Sequence, residues 1–240
     1  MPLELGIIGY GRFGRFAATI LKRDFDVSVH DSKSFPSEEG IRFVSLAEAA
    51  RKPVIFLCVP ISAVGAVCCQ LKPYLVRGQL VLDACSVKEK PLRLMKQILP
   101  RGVDVLGTHP LFGPDSARQG IEGHAIVLCP GRGAQQQKVA RYLKSLGLRV
   151  IVTSAANHDR QMANTQALFH FLARGVALMK IRPGPISTPG PSRLFAEFRD
   201  VQNDSLQLFR DMQRENSYSA HLRQKLIKNL IRIDRQLKTS

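Results

Sequence analysis

The stretch that decides the fold is LELGIIGYGRFGRFAATIL, residues 3–21. An apolar segment, Leu5–Ile8, leads into Gly9, Gly11 and Gly14, and the residues that follow have the apolar spacing of a helix. Each glycine has its own physical reason: the first allows a tight turn, the second lets the backbone approach a pyrophosphate, and the third lets the helix pack closely on the strand. The N-terminus of the helix also attracts phosphate charge. The stretch therefore predicts a strand, a turn and a helix that bind a dinucleotide.

An acidic residue follows at the distance that such a motif requires. Asp31 ends the segment DVSVHD, about 20 residues after the glycine turn. Its carboxylate can accept hydrogen bonds from ribose hydroxyls and would repel a 2′-phosphate, which favours NAD as the cofactor. Lys33 and Arg12 lie close enough in sequence to weaken that preference, so NADP remains an alternative. We assign the following residues to cofactor binding: Gly9, Gly11, Arg12, Phe13, Gly14, Asp31, Ser32, Val59 and Pro60.

Short apolar runs alternate with amphipathic ones over the first part of the chain. The predicted strands are Leu5–Ile8, Val27–His30, Val54–Val59, Leu80–Asp83, Asp104–Gly107, Ala125–Cys129 and Arg149–Thr153. The predicted helices between them are Arg12–Lys22, Ser62–Lys72, Lys90–Leu99 and Ala134–Leu146. This alternation predicts the α/β class with a Rossmann-type, doubly wound and mostly parallel sheet, in which the later, shorter strands are candidates for antiparallel pairing.

The strand pattern stops after about residue 155, and the rest of the chain has helical spacing. Three helices are predicted, Asn157–Ile181, Ser192–Met212 and Asn216–Lys238, with the Pro/Gly-rich connector RPGPISTPGP (182–191) between the first two. We therefore expect a dinucleotide-binding domain at 1–154 and a smaller all-helical domain at 155–240. This helical region is too short to bury all its apolar faces alone. We therefore expect it to pack on the first domain, on a second subunit or on both.

Composition narrows the partners and the compartment. The net charge is +16, but Lys and Arg are spread along the chain and no aromatic residues alternate with them. This pattern favours small anionic molecules over nucleic acid. The N-terminal residues lack the pattern of an export signal, and no apolar run reaches the length of a membrane span. The five cysteines lack the spacing of a zinc site. We expect a cytoplasmic protein with free thiols, no metal and no membrane contact.

Two polar side chains follow neighbouring strands at the edge where a doubly wound sheet binds its ligands. Ser86 comes just after a strand in LDACSVK, and His109 comes just after the next in GTHPLFGP. His109 should lie in a stiff loop, held by Pro110 and Pro114. Alone, a polar residue at a strand end is more often structural than catalytic. Convergence beside a dinucleotide motif makes both residues candidates for chemistry.

The segments GIIGYGRFG, DACSVK, GTHPLFGPDSA and NHDRQMANTQALFHF together resemble the prephenate/arogenate dehydrogenase family of tyrosine biosynthesis. The resemblance covers almost the whole chain. It implies an NAD(P)-dependent enzyme that oxidises and decarboxylates a cyclohexadienol. It also implies a homodimer formed through the C-terminal helical domain.

The resemblance also implies roles for single residues. His109 matches the catalytic histidine that takes the proton of the ring hydroxyl, and Ser86 matches the serine that orients this hydroxyl. His170 matches a substrate-binding histidine, and Arg199 falls where the family places an arginine for a substrate carboxylate. For His158 and Asp159, the residues themselves favour capping of a helix by Asp159.

Two other functions remain open on the sequence. The chain could be another dehydrogenase of a small anionic hydroxy acid on the same scaffold, although MANTQALFHF lacks the catalytic lysine that such enzymes need on the first long helix. It could also be a dinucleotide-binding protein without catalysis. Prephenate and arogenate, which carry a keto acid and an amino acid side chain respectively, are not separated by the sequence.

Overall fold

The computed structural model describes residues 3–181 and 184–238. The chain divides into two compact units, Met1–His158 and Asp159–Ser240. The expected domain boundary, between residues 154 and 155, lies four residues before this division.

The first unit contains a single sheet with the order β3-β2-β1-β4-β5-β6-β7-β8. All neighbouring strands run parallel except β6 and β7, which are antiparallel, as the sequence suggested for the later strands. The strands are β1 Leu3–Ile8, β2 Phe25–His30, β3 Ile41–Phe43, β4 Val54–Leu57, β5 Leu80–Asp83, β6 Asp104–Pro110, β7 Ala125–Arg132 and β8 Arg149–Val152. The predicted doubly wound, mostly parallel sheet is confirmed.

Among the described residues, five α-helices alternate with the strands of this sheet. They are α1 Arg12–Leu21, α2 Leu46–Ala50, α3 Val64–Leu71, α4 Glu89–Ile98 and α5 Gln136–Ser145. The strands alternate their side chains between two layers of core, as a pleated strand must. In β1, Leu5 and Ile7 join the cluster that includes Ala17 and Ala18 of α1. Ile8 joins the other cluster, which includes residues of α3 and α4.

Several strand bounds differ from the sequence prediction. The apolar pattern does not predict β3, because its three residues make only a short edge strand beside β2. β4 ends at Leu57, so Val59 and Pro60 lie beyond the strand. β6 continues through His109 and Pro110, whose Cα atoms pair with Val127 and Ile126 of β7. The expectation of a loop at His109 was wrong, since the antiparallel partner extends the strand.

The five cysteines are all free thiols. Cys68, Cys85 and Cys129 are buried, Cys58 is half-buried and Cys69 is exposed on α3. Burial raises the pKa of the Cys68 thiol to about 12, and it also raises the pKa of Cys58 and Cys85.

The second unit is helical, and its helices are α6 Ala155–Met162, α7 Leu168–Leu178, α8 Pro189–Gln202, α9 Leu206–Glu215 and α10 Ser219–Lys238. α6 begins in the first unit. A π-helical segment, Ala163–Ala167, joins α6 to α7. The predicted single helix 192–212 was wrong: Ser205 accepts a hydrogen bond from the Leu208 N–H and starts a separate helix, α9. The first two residues of the predicted connector, 182–183, lie outside the described residues.

No helix within residues 3–181 and 184–238 is long and apolar enough to cross a membrane. No group of His, Cys, Asp and Glu in those ranges has the arrangement of a metal site.

Candidate cofactor and catalytic site

The glycine turn after β1 has the geometry that the sequence predicts. Gly9 adopts φ +100°, a conformation that favours glycine. A Cβ at Gly14 would lie 2.1 Å from the Gly9 carbonyl oxygen, so only glycine lets α1 pack this closely on the turn. A Cβ at Gly11 would meet no atom within 4 Å. The turn therefore has open space at the N-terminus of α1, where a pyrophosphate would fit.

Asp31 lies at the carboxyl end of β2, beside the glycine turn. Its carboxylate accepts hydrogen bonds from the N–H groups of Tyr10, at 2.6 Å, and Lys33, at 2.9 Å. Two backbone donors thus fix the orientation of the carboxylate. The Ser32 hydroxyl also donates to Oδ1, at 3.5 Å, whereas Oδ2 has a further lone pair that a ribose hydroxyl could use.

The other residues assigned to the cofactor surround the turn. Arg12 opens α1 and binds Asp115, with Nη2 and Oδ2 2.7 Å apart. Asp115 lies after β6, so this ion pair links the glycine turn to the segment that follows His109. Val59 is half-buried and Pro60 is exposed, and both follow the carboxyl end of β4.

A buried ion pair lies beneath the carboxyl ends of β5 and β6. Lys88 and Asp83 have fully buried side chains, and Lys88 Nζ donates to Asp83 Oδ2. Lys88 also donates to the Thr108 carbonyl oxygen at 2.5 Å, and the Thr108 hydroxyl donates to the Asp83 carbonyl oxygen at 2.6 Å. These hydrogen bonds connect the carboxyl ends of β5 and β6 through buried polar groups.

Ser86 follows β5 and is buried, at 7% exposure. Its hydroxyl oxygen has no hydrogen-bond partner among the described residues. A buried hydroxyl is normally hydrogen-bonded, so this one is available to a ligand.

His109 is buried in β6 and contacts a second histidine. Its Nδ1 lies 2.8 Å from His158 Nε2, and the two rings meet edge to face with an interplanar angle of 74°. Burial, and to a smaller extent the neighbouring His158 and Lys88, hold the pKa of His109 well below its usual value of 6.5. His109 is therefore neutral near pH 7.

The position of His158 corrects an expectation from the sequence. α6 begins at Ala155, so Asp159 lies inside the helix and is not its cap. Ser154 takes that role, because its hydroxyl accepts a hydrogen bond from the Asn157 N–H at 3.2 Å. His158 is buried at 2% exposure and faces His109.

The remaining two predicted site residues lie in the second unit. His170 is buried in α7, and its Nε2 lies 3.9 Å from Asp204 Oδ2. Arg199 is exposed in the last turn of α8. Arg174 is the arginine that acts electrostatically on His170: burial first, and then Arg174, lower the pKa of His170 to about 4.

Sequence reasoning missed three of the polar residues in these clusters. It assigned His158 to a helix start and predicted no site role for Lys88 or Arg174. His158 was missed because its partner, His109, lies 49 residues away in the sequence. Helical spacing could have identified Arg174, because this residue lies four residues after His170 and on the same face of α7.

The parallel sheet, the glycine turn and Asp31 define a dinucleotide-binding α/β protein with a buried histidine at the ligand edge of the sheet. Residues 27–152, which are 126 of the 240 residues, match the family described as "Prephenate dehydrogenase, nucleotide-binding domain". The chain belongs to this family.

Curated relatives carry related names. The chain is 31% identical over 223 residues to arogenate dehydrogenase 1, chloroplastic, of Arabidopsis thaliana, a match that covers 86% of this chain and 35% of the relative. It is 32% identical over 176 residues to the T-protein of Haemophilus influenzae, which covers 72% of this chain and 44% of that protein. The chain thus spans less than half the length of these two relatives.

The fold also matches a solved structure. Prephenate dehydrogenase of Aquifex aeolicus, in complex with hydroxyphenyl propionate and NAD+, superposes with a TM-score of 0.75 at 20% sequence identity. The match covers 99% of this chain and 91% of that chain. At this level of identity the likeness establishes the fold.

Proposed function

We propose that the protein oxidises and decarboxylates arogenate, prephenate or both, with NAD as hydride acceptor, to give tyrosine or 4-hydroxyphenylpyruvate. The observation that carries this proposal is the neutral, buried His109, which is paired with His158 at the ligand edge of a dinucleotide-binding sheet. Membership of the prephenate dehydrogenase family supports it.

The residues around the glycine turn fit a bound dinucleotide. The open space at Gly11 admits a pyrophosphate, and Asp31 offers fixed acceptors to ribose hydroxyls. The same carboxylate would repel a 2′-phosphate, which favours NAD over NADP. A bound nicotinamide ring would supply the site that accepts a hydride.

His109 manages the proton of the substrate's ring hydroxyl. In a hydrogen bond between two imidazoles, one nitrogen donates and the other accepts. If Nδ1 of His109 donates to His158, its Nε2 is unprotonated and can accept the hydroxyl proton as a general base. Ser86, whose hydroxyl has no partner among the described residues, orients the same substrate group.

The reaction balances with that single base. The hydroxyl-bearing ring carbon loses its hydrogen as hydride, and the hydroxyl proton moves to His109. The bond from the ring to the carboxylate then breaks, so that CO2 leaves and its electron pair enters the ring. The ring becomes aromatic, and the proton returns to the phenolic oxygen.

The test is turnover by a purified protein. We expect the wild type to form NADH from arogenate or prephenate, and we expect His109→Asn to lower kcat about a hundredfold to ten-thousandfold. His221→Asn, an exposed histidine on α10, is the matched control and should leave kcat unchanged. Failure of the wild type to oxidise either substrate would reject the proposal and favour a dinucleotide-binding protein without catalysis.

We also propose a homodimer formed through the C-terminal helices, in a cytosolic protein. Ile227, Leu230 and Ile231 of α10 are exposed large apolar side chains at the spacing of one helix face. Light scattering should give the mass of a dimer for the wild type and of a monomer for Leu230→Glu. Gln224→Glu, at an exposed polar position of the same helix, should remain a dimer.

A further inference from the structure

One face of the sheet in the first unit is covered by two helices that stand apart. α1 packs on this face against β1 and β2, and α5 packs on it against β7 and β8. α2, α3 and α4 pack on the opposite face. Right-handed connections explain the division, because the chain moves along the sheet in one direction from β1 to β2 and in the other from β3 to β6. On the first face, β4 and β5 therefore lie between α1 and α5.

The two faces of β4 and β5 differ in burial. Ile55 and Val81 point to the face that α3 and α4 cover, and both are 0% exposed. Their chain neighbours Val54 and Leu82 point to the face between α1 and α5 and are only half-buried. Successive side chains of a strand alternate between the two faces, so the difference in exposure reflects how completely each face is covered. The packing between α1 and α5 is therefore incomplete.

The incomplete packing leaves a cavity of about 160 Å³ between α1 and α5. Two edge-to-face aromatic contacts belong to its lining. The ring centroids of Phe16 and Phe112 are 6.3 Å apart, and those of Phe25 and Tyr142 are 5.1 Å apart. The Tyr142 hydroxyl donates to Asp24 Oδ2 at 3.0 Å, which holds the second contact in place. The cavity thus has a floor of sheet and two helical walls, and the described residues that line it all belong to the first unit.

The volume and length of the cavity limit the size of its ligand. A cavity of about 150 Å³ lined by aliphatic and aromatic side chains stays free of water and binds benzene. A ligand with about six to eight carbon atoms therefore suits this cavity. α1 lines the cavity from Phe13 to Leu21, which is about 12 Å at about 1.5 Å per residue. This length favours an extended alkyl chain over a compact ring.

The charges around the cavity favour an anion. Lys138 of α5 is the one charged side chain among the described residues that line it. Lys138 is exposed and forms no hydrogen bond or ion pair with the described part of the chain. The wall helices, RFGRFAATIL in α1 and QQKVARYLKS in α5, contain Arg and Lys but no Asp or Glu. The Asp24 carboxylate is bound by the Tyr142 hydroxyl. A ligand between the helices would therefore meet an ammonium group where it reaches solvent.

We propose that the cavity binds a medium-chain alkyl carboxylate, with its chain between α1 and α5 and its carboxylate at Lys138. The alkyl chain supplies dispersion contacts that the half-buried Leu82 lacks, and the ammonium of Lys138 pairs with the carboxylate. The inference does not depend on the proposed enzyme activity.

The cavity is distinct from the place assigned to the dinucleotide. Among the described residues, the lining includes neither Asp31 nor the three glycines of the turn. Phe13, which the sequence assigns to the cofactor, does line the cavity, where its ring contacts the Phe56 ring edge to face at 6.4 Å. The carboxylate and the cofactor therefore need not compete.

Calorimetry with hexanoate, octanoate and octylamine on the full chain tests the proposal. Burial of each methylene should tighten binding about threefold to fourfold, so octanoate should bind about tenfold more tightly than hexanoate. Octylamine, which has the same chain and a positive charge, should bind more weakly than octanoate. Absence of octanoate binding, or equal binding of octanoate and octylamine, would overturn the proposal.

Filling the cavity should abolish binding. Ala17 is buried on α1 and lines the cavity, so Ala17→Leu should occupy the space, remove octanoate binding and raise the Tm by a few degrees. Leu143→Phe fills the same space from α5 and serves as a second variant if Ala17→Leu does not fold. Thr19→Leu, at an exposed position of α1, is the matched control and should leave the Kd unchanged. Octanoate binding that persists in a folded filled variant would contradict the proposal.

Removing the ammonium tests the position of the carboxylate. Lys138→Met should weaken octanoate binding about twofold to fivefold, as expected for an exposed ion pair, and should leave octanol binding unchanged. Lys144→Met, at another exposed position of α5, should change neither. Equal loss in both variants would place the carboxylate elsewhere and overturn this part of the proposal. Light scattering provides the remaining test: if the wild type binds no octanoate and Ala17→Leu lowers its mass, a second copy of the chain covers the cavity and the proposal is wrong.

Discussion

The buried histidines of the two units have different surroundings. In the first unit, Nδ1 of His109 lies 2.8 Å from His158 Nε2, and the nearby charge of Lys88 is held by Asp83. In the second unit, His170 Nδ1 has no hydrogen-bond partner in the described residues. Asp83 Oδ1 and Ser86 Oγ of the first unit also lack partners there, but the histidine of that unit is paired. A buried polar atom without a partner lowers stability, so the two histidines should contribute differently to the fold.

The largest effect on stability should come from breaking the buried ion pair between Lys88 and Asp83. Lys88→Met leaves the buried Asp83 carboxylate without its cation, and we expect the free energy of unfolding to fall by about 3–5 kcal/mol. Urea denaturation measures this change. Lys144→Met, at an exposed position of α5, should shift the free energy by no more than about 0.5 kcal/mol.

A double variant separates a lost pair from lost packing. Asp83→Leu combined with Lys88→Met removes both charges, and it should recover much of the stability that Lys88→Met loses. A double variant that is less stable than Lys88→Met would contradict the electrostatic explanation.

The second-largest effect should come from removing the contact between His109 and His158. His158→Leu removes the acceptor that fixes the proton of His109 on Nδ1, and we expect kcat to fall about tenfold to a hundredfold, within the range of general base catalysis. KM for NAD should change little, because His158 is assigned no contact with the cofactor. His158→Gln places an amide oxygen near the former Nε2 position and should restore part of the rate. Equal rates for the Leu and Gln variants would argue for a purely structural role.

A third effect is the response of stability to pH. The folded pKa values of His109 and His170 lie below the unfolded value of 6.5, so each unfolded histidine binds a proton first as the pH falls. Stability is therefore full above pH 6.5 and declines below it, by about 1.4 kcal/mol per pH unit for each histidine. The contribution of His170 stops falling near its folded pKa of about 4.

Denaturation at pH 7.5, 6.0 and 5.0 would measure this decline. His170→Gln should reduce the slope, whereas His221→Gln, at an exposed position, should not alter it. A slope that is the same in wild type and His170→Gln would be inconsistent with a neutral, buried His170.

The smallest effect has the opposite sign. Gln166→Leu replaces an acceptor without a partner by an apolar group, and we expect the free energy of unfolding to rise by about 1 kcal/mol. Thermal denaturation of the protein without substrate measures it. Stabilisation would support a buried acceptor that the fold itself leaves without a partner. A loss of stability would mean that Gln166 supports the fold.

Some features of the site could be predicted from the sequence alone. The glycine turn and Asp31 were readable because their chemistry is local: three glycines and one carboxylate within about 20 residues specify the turn and its ligand. The strand ends that carry Ser86 and His109 were readable for a similar reason, since parallel strands present their carboxyl ends at one edge.

The rest depends on contacts that sequence spacing does not encode. The extension of β6 through His109 requires the partner strand β7, and the pairing of His109 with His158 joins residues 49 positions apart. The break between α8 and α9 was locally encoded by Ser205, but the apolar periodicity on both sides hid it. In the second unit, helical spacing places Gln166 near His170, but only the structure shows that a buried atom of each lacks a hydrogen-bond partner in the described residues.

The different exposure of the cysteine thiols offers a way to test the proposed homodimer by dye labelling. Cys69 is the exposed one of the five cysteines, and burial suppresses thiolate formation at Cys58, Cys68 and Cys85. Since the thiolate is the reactive form, a maleimide dye should label Cys69 first without any engineering of the chain. Donor and acceptor dyes attached to Cys69 would test the proposed homodimer, because exchange of subunits would produce energy transfer between them.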